Sequence, residues 1–215
     1  MDLKPIETVY NGYRFRSRLE ARWAVFFDTL GIKYEYEKEG YDLGVNGWYL
    51  PDFWLPEYKC WIEIKGEKPS LDEVLKVVEL ESKTGNVGIL FWGLPGENLG
   101  KSTYIIRQGS EGYVQVNSSN VRFGFCNPGW CKNIEELRNS MEDHRVEPIN
   151  SNIKIDMGGY DFVCNDEWSK STNPYYFGKR KIDYNHVSLI QAYRAAKSAR
   201  FEHGEKPNIK RWVVE

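Results

Sequence analysis

Asp52, Glu63 and Lys65 carry the pattern in this chain that could do chemistry, and all lie within YLPDFWLPEYKCWIEIKG, from Tyr49 to Gly66. Residues two apart on a strand point the same way. In Trp61 to Gly66, Ile62 and Ile64 therefore share one face, for packing, and Glu63 and Lys65 share the other, for a site. The aromatic run Trp48 to Leu55 reads as a preceding strand, with Pro56, Glu57 and Tyr58 as the turn between the two. A hairpin of these strands can bring Asp52 beside Glu63, with the register left open at this level. Neighbouring carboxylates repel each other. A hard divalent cation, magnesium or manganese, removes that objection by taking oxygen ligands together with waters and phosphate oxygens. It also lowers the pKa of water and stabilises a leaving oxygen, while Lys65 meets negative charge developing at the scissile phosphate. Hydrolysis of a phosphodiester needs those parts.

The elements that must hold these residues can be read on either side. Leu19, Trp23, Phe26, Phe27 and Leu30 recur at helical spacing, Ser17 is a suitable N-cap and Gly31 a stop signal. Glu20, three positions after Ser17, fits a capping box. Arg16, Arg18 and Arg22 flank it, as phosphate contacts or as a solvated helix face. Tyr10 to Tyr13 reads as a turn, Ile32 to Glu39 as a strand that Tyr41 to Val45 continues, and Asn46-Gly47 as a hairpin signal. Ser70 caps a second helix to about Lys83, with Leu71, Val74, Leu75, Val78 and Leu80 apolar, and Val87 to Trp92 reads as a buried strand. The order is αβββαβ.

Pro51-Asp52 followed by Glu63-x-Lys65 in this setting resembles the active site of the PD-(D/E)xK nuclease superfamily, which includes transposon-end-cutting nucleases and Holliday-junction resolvases. SRLEARWAVFF before a strand and a PDF segment, and the tail AYRAAKSARFEHGE, are similar to phage and mobile-element members. The resemblance implies an α/β fold with a restriction-endonuclease-like αβββαβ core, a mixed central sheet flanked by helices. It implies a magnesium- or manganese-dependent deoxyribonuclease, an endonuclease of phage or mobile-element DNA metabolism. Asp52, Glu63 and the Ile64 backbone carbonyl would hold the metal, Lys65 would position water or neutralise the phosphate, and Glu20 would reach toward the metal. Many such nucleases act as dimers, so a homodimer is a further expectation. Two other classes stay open: a DNA-binding module of the same fold that does not cut, and a protein-interaction protein.

Over 215 residues, 41% hydrophobic and 28% charged, the composition is that of an ordinary globular chain. A formal net charge of -2 gives no support to a protein that coats nucleic acid nonspecifically, so contact with DNA must rest on local patches. Lys170 to Trp212 is such a region, with ten basic and three acidic side chains. Within it a last helix is expected from His186 to about Phe201, capped by Asn185, with Val187, Ile190 and Tyr193 packed and Arg194, Lys197 and Arg200 exposed toward DNA. Residues 1–108 are expected to form the nuclease core and 109–215 a less regular C-terminal extension. Cys126, Cys131 and Cys164, with His144 or His186, are candidate zinc ligands against the alternative of free thiols. Gly93 to Ser102 fails the phosphate-loop pattern, since Pro95 stands where its first glycine belongs, and no nucleotide cofactor is expected. No apolar run is long enough for a bilayer and no signal-peptide core begins the chain, so a cytoplasmic protein without membrane contact is expected.

Overall fold

Asn11 and Gly12 take left-handed backbone, with φ 48 and 84, as a tight hairpin turn demands. They join β1 (Thr8–Tyr10) to β2 (Tyr13–Phe15). The structure is a computed structural model and describes residues 5–96, 103–108, 114–118, 122–126, 153–156, 182–183, 185–201 and 207. Helix α1 (Arg18–Leu30) starts where the Ser17 hydroxyl accepts the Glu20 N–H at 3.2 Å. It stops at Gly31, φ 71, where the Ile32 N–H reaches back to the Phe27 carbonyl at 2.9 Å.

Strands β3 (Glu35–Tyr36), β4 (Tyr41–Asp42), β5 (Trp48–Tyr49), β6 (Phe53–Leu55) and β7 (Cys60–Lys65) follow. Helix α2 (Leu71–Thr84) then crosses over to β8 (Val87–Trp92), which lies parallel to β7. β9 (Thr103–Gln108) and β10 (Val114–Ser118) extend the sheet to six strands in the order β10-β9-β8-β7-β6-β3, antiparallel at every pairing except β7 with β8. The protein is thus mixed α/β. Along the chain α1, β3, β6, β7, α2 and β8 run in the expected helix and strand order, with β4 and β5 as a separate ribbon joined by a 3-10 turn, Gly44–Asn46. β11 (Arg122–Cys126), β12 (Ile153–Asp156) and β13 (Ile182–Asp183) form another small sheet, and helix α3 (Val187–Ser198) packs on α1.

Both faces of the central strands are covered, as parallel pairs require. On one face Ile62, Ile64, Ile89 and Phe91 meet Trp23, Phe26 and Phe27 of α1. On the other Trp61, Leu90 and Ile106 meet Val74, Val77 and Leu80 of α2. The face bearing Glu63 and Lys65 is therefore packed along most of its length, and the site is confined to the carboxyl end of β7. Alternation suggested one face for packing and the other for a site; the crossover helix covers most of the second.

Other expectations shift for local reasons. The expected strand Ile32 to Glu39 shrinks to β3 because Glu37, φ 46, turns the chain out of the extended conformation. Trp48 to Leu55 is divided between β5, which pairs with β4, and β6, which pairs with β3 and β7. On α2, Val77 is buried while Leu71 is 72% exposed. On α3 the buried stripe is Leu189, Ala192 and Ala196; Val187 and Ile190 face outward, and Tyr193 stacks on Phe26 with centroids 5.0 Å apart. His186 is the cap in place of Asn185, its Nδ1 accepting the Ser188 N–H at 3.3 Å. The boundary at 108 falls between paired strands β9 and β10, and Phe123, Ile155 and Leu189 share a core with α1. Among the described residues no helix is long and apolar enough to cross a membrane.

Candidate functional site

The β6–β7 register sets Phe53 opposite Ile62, Trp54 opposite Trp61 and Leu55 opposite Cys60. Continued toward the site, it brings Asp52 opposite Glu63 and Pro51 opposite Ile64. Proline has no N–H, so the ladder cannot supply the Ile64 carbonyl with a donor from Pro51. Side chains take over there. The Ile64 N–H donates to Asp52 Oδ2 at 2.7 Å, and the Asp52 N–H donates to Glu63 Oε2 at 3.2 Å. On the opposite edge of β7 the Lys65 carbonyl accepts the Gly93 N–H at 2.9 Å. Alternation along the strand then directs the Ile64 carbonyl away from β8, to the side where Pro51 leaves it without a ladder bond.

Lys65 follows on the same face. Its Nζ lies 2.9 Å from Glu63 Oε1 and 3.3 Å from Glu73 Oε1. Glu73 sits at the third position of α2, where its Oε2 accepts the Ser70 N–H at 2.8 Å while the Ser70 hydroxyl accepts the Glu73 N–H at 3.3 Å. This reciprocal pair is a capping box. One carboxylate thus starts the crossover helix and also holds the lysine.

Asp52 and Glu63 are 8% and 5% exposed. Burial pushes the Asp52 carboxyl well above the usual carboxylate range, and the charges of Glu63 and then Glu20 push it further, against the Ile64 N–H and Lys65. Burial alone would lower the Lys65 ammonium, but Glu63, Asp52 and Glu73 outweigh it and hold that group above its ordinary value. Glu73 is held low: burial works against ionisation, and the Ser70 N–H and Lys65 overcome it. Lys65 is therefore a firm cation among acids, one of which resists ionising.

Glu20 is also buried, but other donors occupy it. Oε1 accepts the Ser17 hydroxyl at 2.6 Å, and Oε2 accepts the Arg16 N–H at 3.1 Å and the Tyr36 hydroxyl at 2.5 Å. The Ser17 cap is real, but Glu20 returns to Arg16 N–H, one residue earlier than a capping box requires. Its charge reaches Asp52, yet its oxygens serve the junction of β2, α1 and β3. Glu37 bridges these regions: its N–H donates to the Asp52 carbonyl at 2.9 Å, and its carboxylate pairs with Arg16 Nε at 2.5 Å. Burial raises the Glu37 carboxyl, with Arg16 opposing.

The structure thus brings Asp52, Glu63 and Lys65 together and leaves Glu20 beside them. Arg16 is exposed and engaged with Glu37, and Arg18 is half-buried in the first turn of α1. Arg194, Lys197 and Arg200 are exposed on and just after α3, which packs on α1, across the sheet from the face of Glu63 and Lys65. Cys126 lies in β11, while Cys131, Cys164 and His144 fall outside the described residues. Among the described residues no group of three or more His, Cys, Asp or Glu side chains is arranged to hold a metal ion. The donor set available to a cation is Asp52, Glu63 and the Ile64 carbonyl, which suits magnesium, an ion that usually takes one or two carboxylates and fills its shell with water and phosphate oxygens. Sequence reasoning missed Glu73 and Glu37; the spacing Ser70-x-x-Glu73 was a visible signal for the first, and nothing marked the second. Comparisons with protein-family models, with curated proteins and with solved structures each found no match.

Proposed function

We propose that this chain is a divalent-metal-dependent deoxyribonuclease with a restriction-endonuclease-like core, acting as an endonuclease. The observation that carries the reading is the pair of hydrogen bonds that ties Asp52 to β7, from the Ile64 N–H to its carboxylate and from its own N–H to Glu63, with the Lys65 ammonium 2.9 Å from Glu63. The site also lies at the carboxyl ends of parallel strands beside a crossover helix, where open α/β sheets bind ligands. Asp52, Glu63 and the Ile64 carbonyl would hold magnesium or manganese. When bound, the cation supplies a lowered pKa for water and positive charge at a leaving oxygen. Asp52 and Glu63 are fixed for this by backbone bonds that do not need the cation. Lys65, kept protonated by its acid neighbours, meets the negative charge that grows on the scissile phosphate. Glu73 sets the direction of Lys65, and Glu20 acts on Asp52 through charge.

The test is incubation with covalently closed circular and with linear DNA in magnesium, manganese or EDTA. Cleavage of both forms, lost in EDTA and in Asp52→Ala and Lys65→Ala, is the expected result. Cutting of linear DNA alone would replace endonuclease by exonuclease. Intact DNA throughout, or equal cutting by both variants, would overturn the reading.

A further inference from the structure

Arg16 stands just before the N-cap of α1 and is held at both ends. Its backbone N–H donates to Glu20 Oε2 at 3.1 Å and to the Tyr36 hydroxyl at 3.0 Å. Its Nε pairs with Glu37 Oε1 at 2.5 Å, and that oxygen is shut off from solvent. The two side chains differ in exposure, 61% for Arg16 against 22% for Glu37. The stem is therefore anchored on a covered acid while the tip of the guanidinium stands in water. Among the described residues no other group pairs with that guanidinium, so both Nη groups keep their donors.

Glu37 ties this pair to the site. Its N–H donates to the Asp52 carbonyl at 2.9 Å, so one residue holds the arginine by its side chain and an acid of the site by its backbone. It does so in the left-handed region, φ 46, a conformation that a glutamate keeps only where surrounding contacts dictate it. A plain surface ion pair needs no such backbone. A guanidinium fixed in this way, with its outer edge open, fits a phosphate, because both Nη groups can donate in parallel to two of its oxygens.

We propose that Arg16 is a substrate-binding residue of this site, its Nη groups taking a DNA phosphate next to the scissile one, and that Glu37 is the positioning residue that aims it. The inference rests on the metal-dependent phosphodiester reading of Asp52, Glu63 and Lys65. It gives the two cations separate tasks. Lys65 meets charge that grows during the reaction, whereas Arg16 meets charge present throughout and so acts on binding and not on the chemical step.

The test is single-turnover nicking of a supercoiled plasmid in magnesium at several salt concentrations by wild type, Arg16→Ala, Arg16→Lys, Glu37→Gln and the Arg16→Ala, Glu37→Gln double variant, with thermal unfolding recorded for each. Alanine at 16 keeps the N–H that serves Glu20 and Tyr36, and glutamine at 37 keeps the N–H that serves Asp52. Arg16→Ala should weaken half-saturation by roughly tenfold and lower the salt slope by about one, with the maximal rate close to that of wild type. Arg16→Lys, which keeps the charge and loses the fork, should restore the slope and only part of the affinity. Glu37→Gln should weaken half-saturation in the wild-type chain and weaken nothing further in the Arg16→Ala chain. An unchanged slope in Arg16→Ala, a fall in maximal rate with half-saturation unmoved, a Glu37→Gln loss of equal size in both chains, or a change in unfolding temperature alone would overturn the inference and leave the nuclease reading standing. A folded wild-type chain that leaves the plasmid intact would overturn both, and the two failures are thereby distinguished.

Discussion

Replacing Asp52 by Asn should stabilise the metal-free protein at neutral pH. Opposed side chains on antiparallel strands stand roughly 5 Å apart, and at an effective dielectric of about 20, unit charges at that distance repel by about 3 kcal/mol. The amide keeps an oxygen for the Ile64 N–H, now 2.7 Å from Asp52 Oδ2, but the bond becomes neutral, a loss of about 1 kcal/mol. The attraction to Lys65, partly screened by solvent, costs up to about 1 kcal/mol more. The net is a gain of about 1–2 kcal/mol, or a Tm rise of about 2–8 °C for a chain of this size. The sign with pH follows from the raised Asp52 carboxyl. The unfolded aspartate ionises near 3.9 and the folded one at higher pH, so wild-type stability from this group is intact in acid and is lost as pH rises through the folded value. The Tm gap between Asp52→Asn and wild type should be smallest near pH 4 and grow toward pH 7 in EDTA. Magnesium should then raise the wild-type Tm and leave the variant unmoved, narrowing or reversing the order. A variant less stable than wild type at pH 7 in EDTA, or a gap that widens in acid, would refute the reasoning.

Glu73→Gln keeps a capping-box side chain but loses the charge facing Lys65; it should change Tm by less than about 1 kcal/mol equivalent while lowering the kcat for DNA cleavage, read by single-turnover kinetics. Ser17→Ala removes the N-cap of α1 and one donor to Glu20, and chemical denaturation should show a loss of about 1 kcal/mol. Gly88→Ala in β8 would place a Cβ 2.4 Å from Val77 Cγ1, overpacking the sheet against α2 for a loss of about 1–3 kcal/mol by the same measurement.

The core of the site was legible because strand alternation and a short hairpin leave few ways to arrange Pro51 to Lys65. The sequence put Glu63 and Lys65 on one face without help, and the structure added the hydrogen bonds to Glu63 and Ile64 that bring Asp52 beside them. Helix α1 was equally plain, since Ser17, Gly31 and the spacing of Trp23, Phe26 and Phe27 all agree. Glu20 was ambiguous for a physical reason: a carboxylate at that position can serve the helix start or the neighbouring acids, and only the positions of Tyr36 and Arg16 decide. The divided aromatic run and the outward turn of Val187 and Ile190 depended on tertiary partners that periodicity does not contain. Small alanines at 192 and 196 let α3 approach α1 closely, so the apolar stripe with the larger residues was not the buried one. Glu73 escaped because its second contact, to Lys65, spans a crossover.

The central claim is that Asp52, Glu63 and Lys65 act together on a phosphodiester in the presence of a divalent cation. Nicking of a supercoiled plasmid by the wild-type chain, compared in magnesium and in EDTA and with Lys65→Ala in magnesium, tests it most directly. The account predicts open-circular product for wild type in magnesium only, with none above background in the other two lanes. Supercoiled DNA left intact in all three, or nicked equally by Lys65→Ala, would contradict it.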